Sequence, residues 1–296
     1  MQHTNPLNLF KTKCDPKDFI ADLHTHTTAS DGVFTPSQVV ALASEHKVNV
    51  LAISDHDTTG GVQEAMKAGE TLGVQVLCAV EVSSGKGGET HVLGYGKMEN
   101  ASSLQSFFAN SQNQRKERTL KILAELAKYN MPLDLEALLK TADGSIGRPH
   151  IAREMLRMGY VQTMEEAFQK WLGNTSPAYV PREKVETVTA IHLLRDASFV
   201  PVLAHPSLLR VDDATFYALL DEWQSEGLMG VEVYHPCNRA EKGFAFYEKI
   251  ARKRGLLVTG GSDFHSHQSQ GTIGDPTLRW KECQEDVERL LMHVNR

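Results

Sequence analysis

Short apolar runs alternate with amphipathic stretches along most of the chain, and this rhythm predicts an α/β fold. Strands are expected at Phe19 to Leu23, Val48 to Ile53, Val74 to Val82, Thr90 to Tyr95, Phe199 to Ala204, Met229 to Tyr234 and Leu256 to Gly260. Val48 to Ile53 is almost wholly apolar, as a strand buried on both faces requires. Helices are expected between them: one opened by Thr35 and Pro36, then Gly60 to Leu72, Thr187 to Ala197, Asp213 to Gln224 and Ala240 to Arg254, with a closing helix near Cys283 to Val294. Thr35 suits the cap and Pro36 the first turn, while Val39, Val40, Leu42 and Ala43 make an apolar face. An α/β barrel or an open sheet fits this order, the barrel better, with the site on the carboxyl face.

From about Asn100 to Arg182 the rhythm changes. Leu104 to Tyr129 reads as a long amphipathic helix, and helical pieces follow at Leu133 to Thr141, Pro149 to Met158 and Met164 to Leu172. With no convincing strand in this stretch, residues 100–182 are expected to be a helical insertion covering the active site, and residues 19–99 with 183–296 to be the barrel. Insertions at that face commonly carry specificity.

Composition narrows the classes. At 296 residues, with 41% hydrophobic and 23% charged positions, the chain has the profile of a globular protein that buries a large core. A balance of 31 basic against 37 acidic side chains gives −6, which argues against a broad basic face for non-specific nucleic-acid binding. No apolar run reaches a membrane span, and Met1 to Pro6 lacks the basic head and apolar stretch of a signal peptide, so a cytoplasmic location is expected. Cys14, Cys78, Cys237 and Cys283 are scattered and read as free thiols.

Histidine is the unusual residue, with 13 in all. The chemistry is concentrated in His24, His26, Asp31, His56, Glu81, His91, His205, Asp263 and His265, which are expected at, or just after, the C-terminal ends of the strands. In an extended segment residues i and i+2 point the same way, so His24 and His26 can hold one cation. Burying so many ionisable groups at one rim is unfavourable unless cations compensate them. Nitrogen and carboxylate ligands without thiolate suit Zn²⁺, Mn²⁺ or Fe²⁺. Four ligands per metal with one shared carboxylate fit three metals better than one.

The ordered set DLHTHT with SDG, then SDHDT, AVEVSS, HVLGY, AHP and GSDFH resembles the PHP (polymerase and histidinol phosphatase) family over nearly the whole chain. The resemblance implies a distorted (β/α)7-type barrel with three divalent metal ions, Mn²⁺ first, Zn²⁺ or Fe²⁺ as alternatives. It implies one metal held by His24, His26, Glu81 and Asp263, a second bridged by Glu81 and completed by His91 and His205, and a third held by Asp31, His56 and His265, near the phosphate. The resemblance also implies that a metal-bridging hydroxide would be the group directed at phosphorus.

Within that family, RKER (Arg115, Arg118), GRPH (Arg148, His150) and the YVP stretch look most like the nucleoside-phosphate branch. Its members remove phosphate from 3′,5′-bisphosphonucleotides such as pAp, and some trim short RNA from its 5′ end. Arg115 and Arg118, at i and i+3 on one helix, are expected to reach one phosphate. Arg148 and His150, at a helix start, are expected to contact phosphate too. Asp55 and Asp57 are expected to orient His56. The stretch Gly230 to Cys237 departs from the branch, which leaves His235 and Cys237 as supporting residues or pocket wall.

Other readings remain: histidinol-phosphate phosphatase or another small phosphomonoesterase, which shares the ligand set, and a binding module, which would require lost ligands. A hydrolase of the amidohydrolase class would need a carboxylated lysine at a strand end, where this chain has none. The expected partners are a small nucleotide or short RNA, with no stable protein partner implied.

Overall fold

The computed structural model describes residues 18–85, 90–141, 145–240, 242–275 and 282–296. The leader and Cys14 lie outside them. Seven strands form one sheet in chain order: β1 (Ala21–Thr25), β2 (Val50–Ile53), β3 (Gln75–Ser84), β4 (Thr90–Gly96), β5 (Val200–Leu203), β6 (Gly230–Tyr234) and β7 (Leu257–Gly260). β1 begins two residues later than the apolar run predicts, because Phe19 and Ile20 are buried in the core ahead of it.

The sheet curls until its first and last strands meet at one end. There the His26 amide donates to the Phe264 carbonyl at 2.9 Å and the Asp263 amide to the His24 carbonyl at 2.9 Å. The result is a nearly closed barrel with helices around it, and its core runs through Leu23, Leu51, Ile53, Val80, Leu93, Val202, Val231 and Val258. The outer helices include α1 (Pro36–Glu45), α2 (Val62–Leu72), α7 (Thr187–Asp196), α8 (Asp213–Ser225), α10 (Phe244–Lys253) and α11 (Cys283–Val294). Thr35 caps α1 as its sequence predicts: its hydroxyl accepts from the Gln38 amide, and the Gln38 side chain accepts from the Thr35 amide. The helix expected from Ala240 starts at Phe244 instead, after Gly243 at φ 75°, behind the short α9 (Pro236–Ala240).

β4 corrects one expectation. It runs antiparallel to both β3 and β5, so His91 sits at the start of its strand and not at a C-terminal end. Only residues 85–89 separate β3 from β4, and a parallel return needs a crossover of about a dozen residues or more. A hairpin is the available solution, and it brings the beginning of β4 to the rim where the other strands end.

Between β4 and α7 the chain is helical: α3 (Gln105–Ala127), α4 (Leu135–Thr141), α5 (Arg148–Arg157) and α6 (Met164–Ala167), the last continued by a wider turn over Phe168–Leu172. These pack around their own apolar cluster, in which Ile122, Leu126, Leu138, Ile151, Met155 and Leu172 are buried apart from the barrel core. Among the described residues no helix is long and apolar enough to cross a membrane.

Candidate metal centre

Strand pleating delivers the first two imidazoles. His24 lies in β1 and His26 just beyond it, both fully buried on one side, while Thr25 turns the other way and donates its hydroxyl to the Ala52 carbonyl at 2.7 Å. The following loop is held by Asp55, which accepts from the Thr27 amide at 2.7 Å, the Thr27 hydroxyl at 2.7 Å and the Ser30 hydroxyl at 2.6 Å. This loop carries Asp31 to the rim. Glycine is required at its end, since a Cβ on Gly32 would lie 2.6 Å from the His26 carbonyl oxygen. Gly261 meets the same demand opposite: a Cβ there would lie 2.4 Å from the His24 nitrogen, so only glycine lets β7 bring Asp263 this close to β1.

The nine expected residues converge. Glu81 is central, with Oε1 at 2.8 Å from His91 Nδ1 and 3.0 Å from His205 Nε2. Its Oε2 lies 2.9 Å from His56 Nδ1, 3.3 Å from His26 Nε2 and 3.4 Å from His24 Nε2. Asp263 Oδ1 closes on His26 at 3.2 Å and His24 at 3.3 Å. On the outer side His265 Nε2 stands 3.2 Å from Asp31 Oδ1, with His56 Nε2 at 3.9 Å from Asp31 Oδ2. One group is therefore His24, His26, Glu81 and Asp263, and another gathers His26, Asp31, His56 and His265. His24, His26, Glu81 and His205 are closed to solvent, whereas Asp263 and His265 keep 28% and 27% exposure, so the cluster opens on the Asp263–His265 side.

These donors fit divalent cations. His56 Nδ1 and Glu81 Oε2 approach closely without hydrogen-bond geometry, and both atoms are buried without a partner. Native interiors rarely leave such groups unmatched, and a cation would satisfy them. Charge says the same. Burial alone would lower the His24 and His26 pKa values, but the carboxylates around them outweigh it, raising His24 well above its usual value and His26 to about 10. For His91 burial wins over Glu81, and its pKa falls to about 4. Without a cation the carboxylates thus hold protons on His24 and His26. Metal must displace them, so Mn²⁺ affinity is expected to rise with pH through the neutral range, by about tenfold per pH unit for each proton displaced. Titration calorimetry in buffers of different ionisation enthalpy reads this directly, and binding without proton release would contradict it.

Neither Asp55 nor Asp57 reaches the His56 ring, contrary to the sequence expectation. Asp55 secures the opening loop, as above. Asp57, fully buried and left-handed at φ 53°, turns towards the helical segment. Its Oδ2 receives Arg115 at 2.7 and 3.1 Å and Arg182 at 2.8 Å, while Oδ1 accepts from the Ser83 amide at 3.1 Å. Burial would raise its pKa, and the two guanidiniums overcome this and hold it low.

Arg115 and Arg118 take different partners, for Arg118 donates to the Val180 carbonyl at 2.8 Å and lies over the Tyr179 ring. Arg148 reaches the Leu172 carbonyl and Asn174. His150 is buried at the start of α5, its Nδ1 accepting from the Gly147 amide at 3.2 Å and its Nε2 lacking a partner. Sequence reasoning missed Arg182, directly after the YVP stretch, and Arg153, which donates to the Asp31 carbonyl at 3.0 Å from one helical turn beyond His150. Surface placement is the sequence expectation for His46, His192, His267 and His293; the first three are exposed and His293 is half-buried.

Residues 22–177 match the PHP domain family, which is more than half of the chain. The chain belongs to the PHP family. Among relatives of this PHP chain, a 3′,5′-nucleoside bisphosphate phosphatase from Chromobacterium violaceum is 31% identical over 282 residues, covering 90% of the chain and 98% of the relative. A 5′-3′ exoribonuclease from Haemophilus influenzae is 30% identical over 245 residues, covering 82% of the chain and 89% of the relative. A solved structure from Bifidobacterium adolescentis, assigned as a metal-dependent phosphoesterase, superposes with a TM-score of 0.83 at 30% identity, covering 92% of this chain and 96% of that one. The PHP chain is a phosphoesterase by family, with a His, Asp and Glu cluster suited to metal.

Proposed function

We propose that the protein removes a terminal phosphate from nucleotides carrying a second phosphate, 3′,5′-bisphosphonucleotides such as pAp first and short 5′-phosphorylated RNA next, using a cluster of three divalent metal ions. The observation that carries the reading is a surplus of cationic and donor groups on the Asp31 and Asp57 side of the centre. Arg115, Arg118, Arg148 and Arg182 lie near enough that burial, then Arg148, Arg182 and Arg115, lower the Arg118 pKa to about 10. Asp57 is the carboxylate shared by Arg115 and Arg182. Arg182 Nε is buried without a partner, as is His150 Nε2. Burial and then Arg153 lower His150 to about 4, so its ring is neutral; with Nδ1 accepting, the proton sits on Nε2. Unmatched buried donors among arginines fit an anionic ligand.

When bound, the metals would supply Lewis-acid charge for the phosphate oxygens and an activated water. His24, His26, Glu81 and Asp263 would hold one ion, Glu81, His91 and His205 a second, and Asp31, His56 and His265 a third. Arg115 and Arg182, fixed by Asp57, hold their charge beside the rim, and His150 offers a neutral N–H. A cavity of about 380 Å³ bounded by Gln114, Glu117, Arg118, Lys121 and Val180 to Glu183 adjoins this arginine group and is of nucleotide size. In this reading residues 100–182 cover the active site and select the substrate, while 19–99 and 183–296 form the catalytic barrel.

The test compares phosphate release from pAp, 5′-AMP, histidinol phosphate and a short 5′-phosphorylated RNA with Mn²⁺ present. Wild type is expected to favour pAp. Arg118→Ala should lose about 2 kcal/mol on pAp, a charge-assisted contact, or about thirtyfold in kcat/KM, and change little on 5′-AMP. Equal losses on both would contradict a role in binding the second phosphate.

A further inference from the structure

β6 carries none of the nine ligands, yet its end is buried against three of them. Glu232, with no exposed side chain, lies 2.9 Å from His24 Nδ1 through Oε1, and its Oε2 accepts from the His205 amide at 2.8 Å. His235, just past the strand, is buried as deeply, with Nε2 at 3.4 Å from Asp263 Oδ2. His24, Glu232 and His235 would by distance make a further cation site. Their proton arrangement argues otherwise. His24 Nδ1 faces the Glu232 carboxylate, which can only accept, so Nδ1 bears a proton and Nε2, turned to Glu81 and Asp263, is the nitrogen left to a cation. His235 Nδ1 accepts from the Cys237 amide at 3.2 Å, so in the neutral ring the proton is on Nε2, which then cannot ligate.

We infer that Glu232 and His235 are positioning residues of the metal centre, acting on ligands contributed by three other strands and their exits. Glu232 fixes the His24 tautomer, leaving the Nε2 lone pair for the cation, and pins the His205 backbone, whose φ of 27° is one that non-glycine residues seldom adopt. His235 sets Nε2 at 3.4 Å from Asp263 Oδ2, an ion-pair distance outside hydrogen-bond geometry, while Oδ1 turns to His24 and His26. Buried Asn238 braces the pair, donating to the Glu232 and Val233 carbonyls at 2.9 Å and accepting from the Ser207 amide at 3.2 Å. Asp31 and His56 receive no contact from β6 among the described residues. Partners of this kind commonly alter metal affinity by about 10–100-fold.

The inference rests on the metal centre and not on the substrate proposed above, and its test needs no substrate. The full-length Mn²⁺-loaded protein is challenged with graded chelator, and retained metal is counted. Glu232→Gln, which keeps the volume but sets an amide N–H against the His205 N–H, should release metal at about 10–100-fold lower chelator strength. His235→Phe should do the same, and His235→Gln, whose amide N–H stands near the lost Nε2–H, should recover most of the affinity. Thermal unfolding of each variant in excess chelator should match wild type. Wild-type retention in both Glu232→Gln and His235→Phe would overturn the inference. So would an equal loss of stability in the chelated variants, or His235→Gln releasing metal as readily as His235→Phe.

Discussion

Replacing Glu81 with alanine is expected to abolish phosphate release and strip metal from the protein. Its two oxygens face five imidazoles, those of His24, His26, His56, His91 and His205, and it is 1% exposed. Among the described residues no other carboxylate of the centre touches both His24 and His26 and the pair His91 and His205. Without it, several kcal/mol of transition-state charge stabilisation is lost, about 4 kcal/mol, which is about 10³-fold in rate. Burial then acts on the histidines with less opposing charge. Phosphate-release kinetics and metal analysis on Glu81→Ala check this, and activity within tenfold of wild type with full metal content would show that Glu81 does not bridge.

The second large effect is structural. Asp57→Asn is expected to destabilise the protein by about 3 kcal/mol, because it leaves the largely buried guanidiniums of Arg115 and Arg182 facing each other without a counter-charge. At about 2–4 °C per kcal/mol the midpoint should fall by about 6–12 °C. Asparagine tolerates the left-handed backbone of Asp57, so the change removes charge without adding strain. Arg115 is on α3 and Arg182 follows the helical segment, so loss of Asp57 should loosen that segment first. Amide exchange that rises at α3 and not in the barrel strands would show it, whereas an unchanged melting midpoint would mean that the pair contributes no net stability.

What was legible in the chain was what local periodicity encodes. Polar residues at the ends of apolar runs placed His24, His26, His56, His205, Asp263 and His265 at one rim, since a strand exit is set by its own few residues. The direction of β4 was also encoded, in the short gap before Thr90, although His91 was read as a strand end. Glu232 was not legible: in the run Gly230 to Tyr234 it resembles any polar interruption of a strand, and its partner His24 is 208 residues away. Asp57 likewise sits beside His56 but serves Arg115 and Arg182, 58 and 125 residues on. Such pairings are decided by closure of the barrel and docking of the helices, and no local pattern records them. The different partners of Arg115 and Arg118 have the same origin. Their spacing puts both on one helix face, and Asp57 and Val180 then draw them apart.

The measurement that bears most directly on the central claim is inorganic phosphate released from pAp by the metal-stripped full-length protein, before and after reloading with Mn²⁺, beside the same assay on 5′-AMP. Negligible release when stripped is expected, then three Mn²⁺ bound per chain on reloading and turnover of pAp at least about tenfold faster in kcat/KM than of 5′-AMP, a difference of about 1.4 kcal/mol. Turnover by the stripped protein, or equal rates on the two nucleotides, would contradict the account.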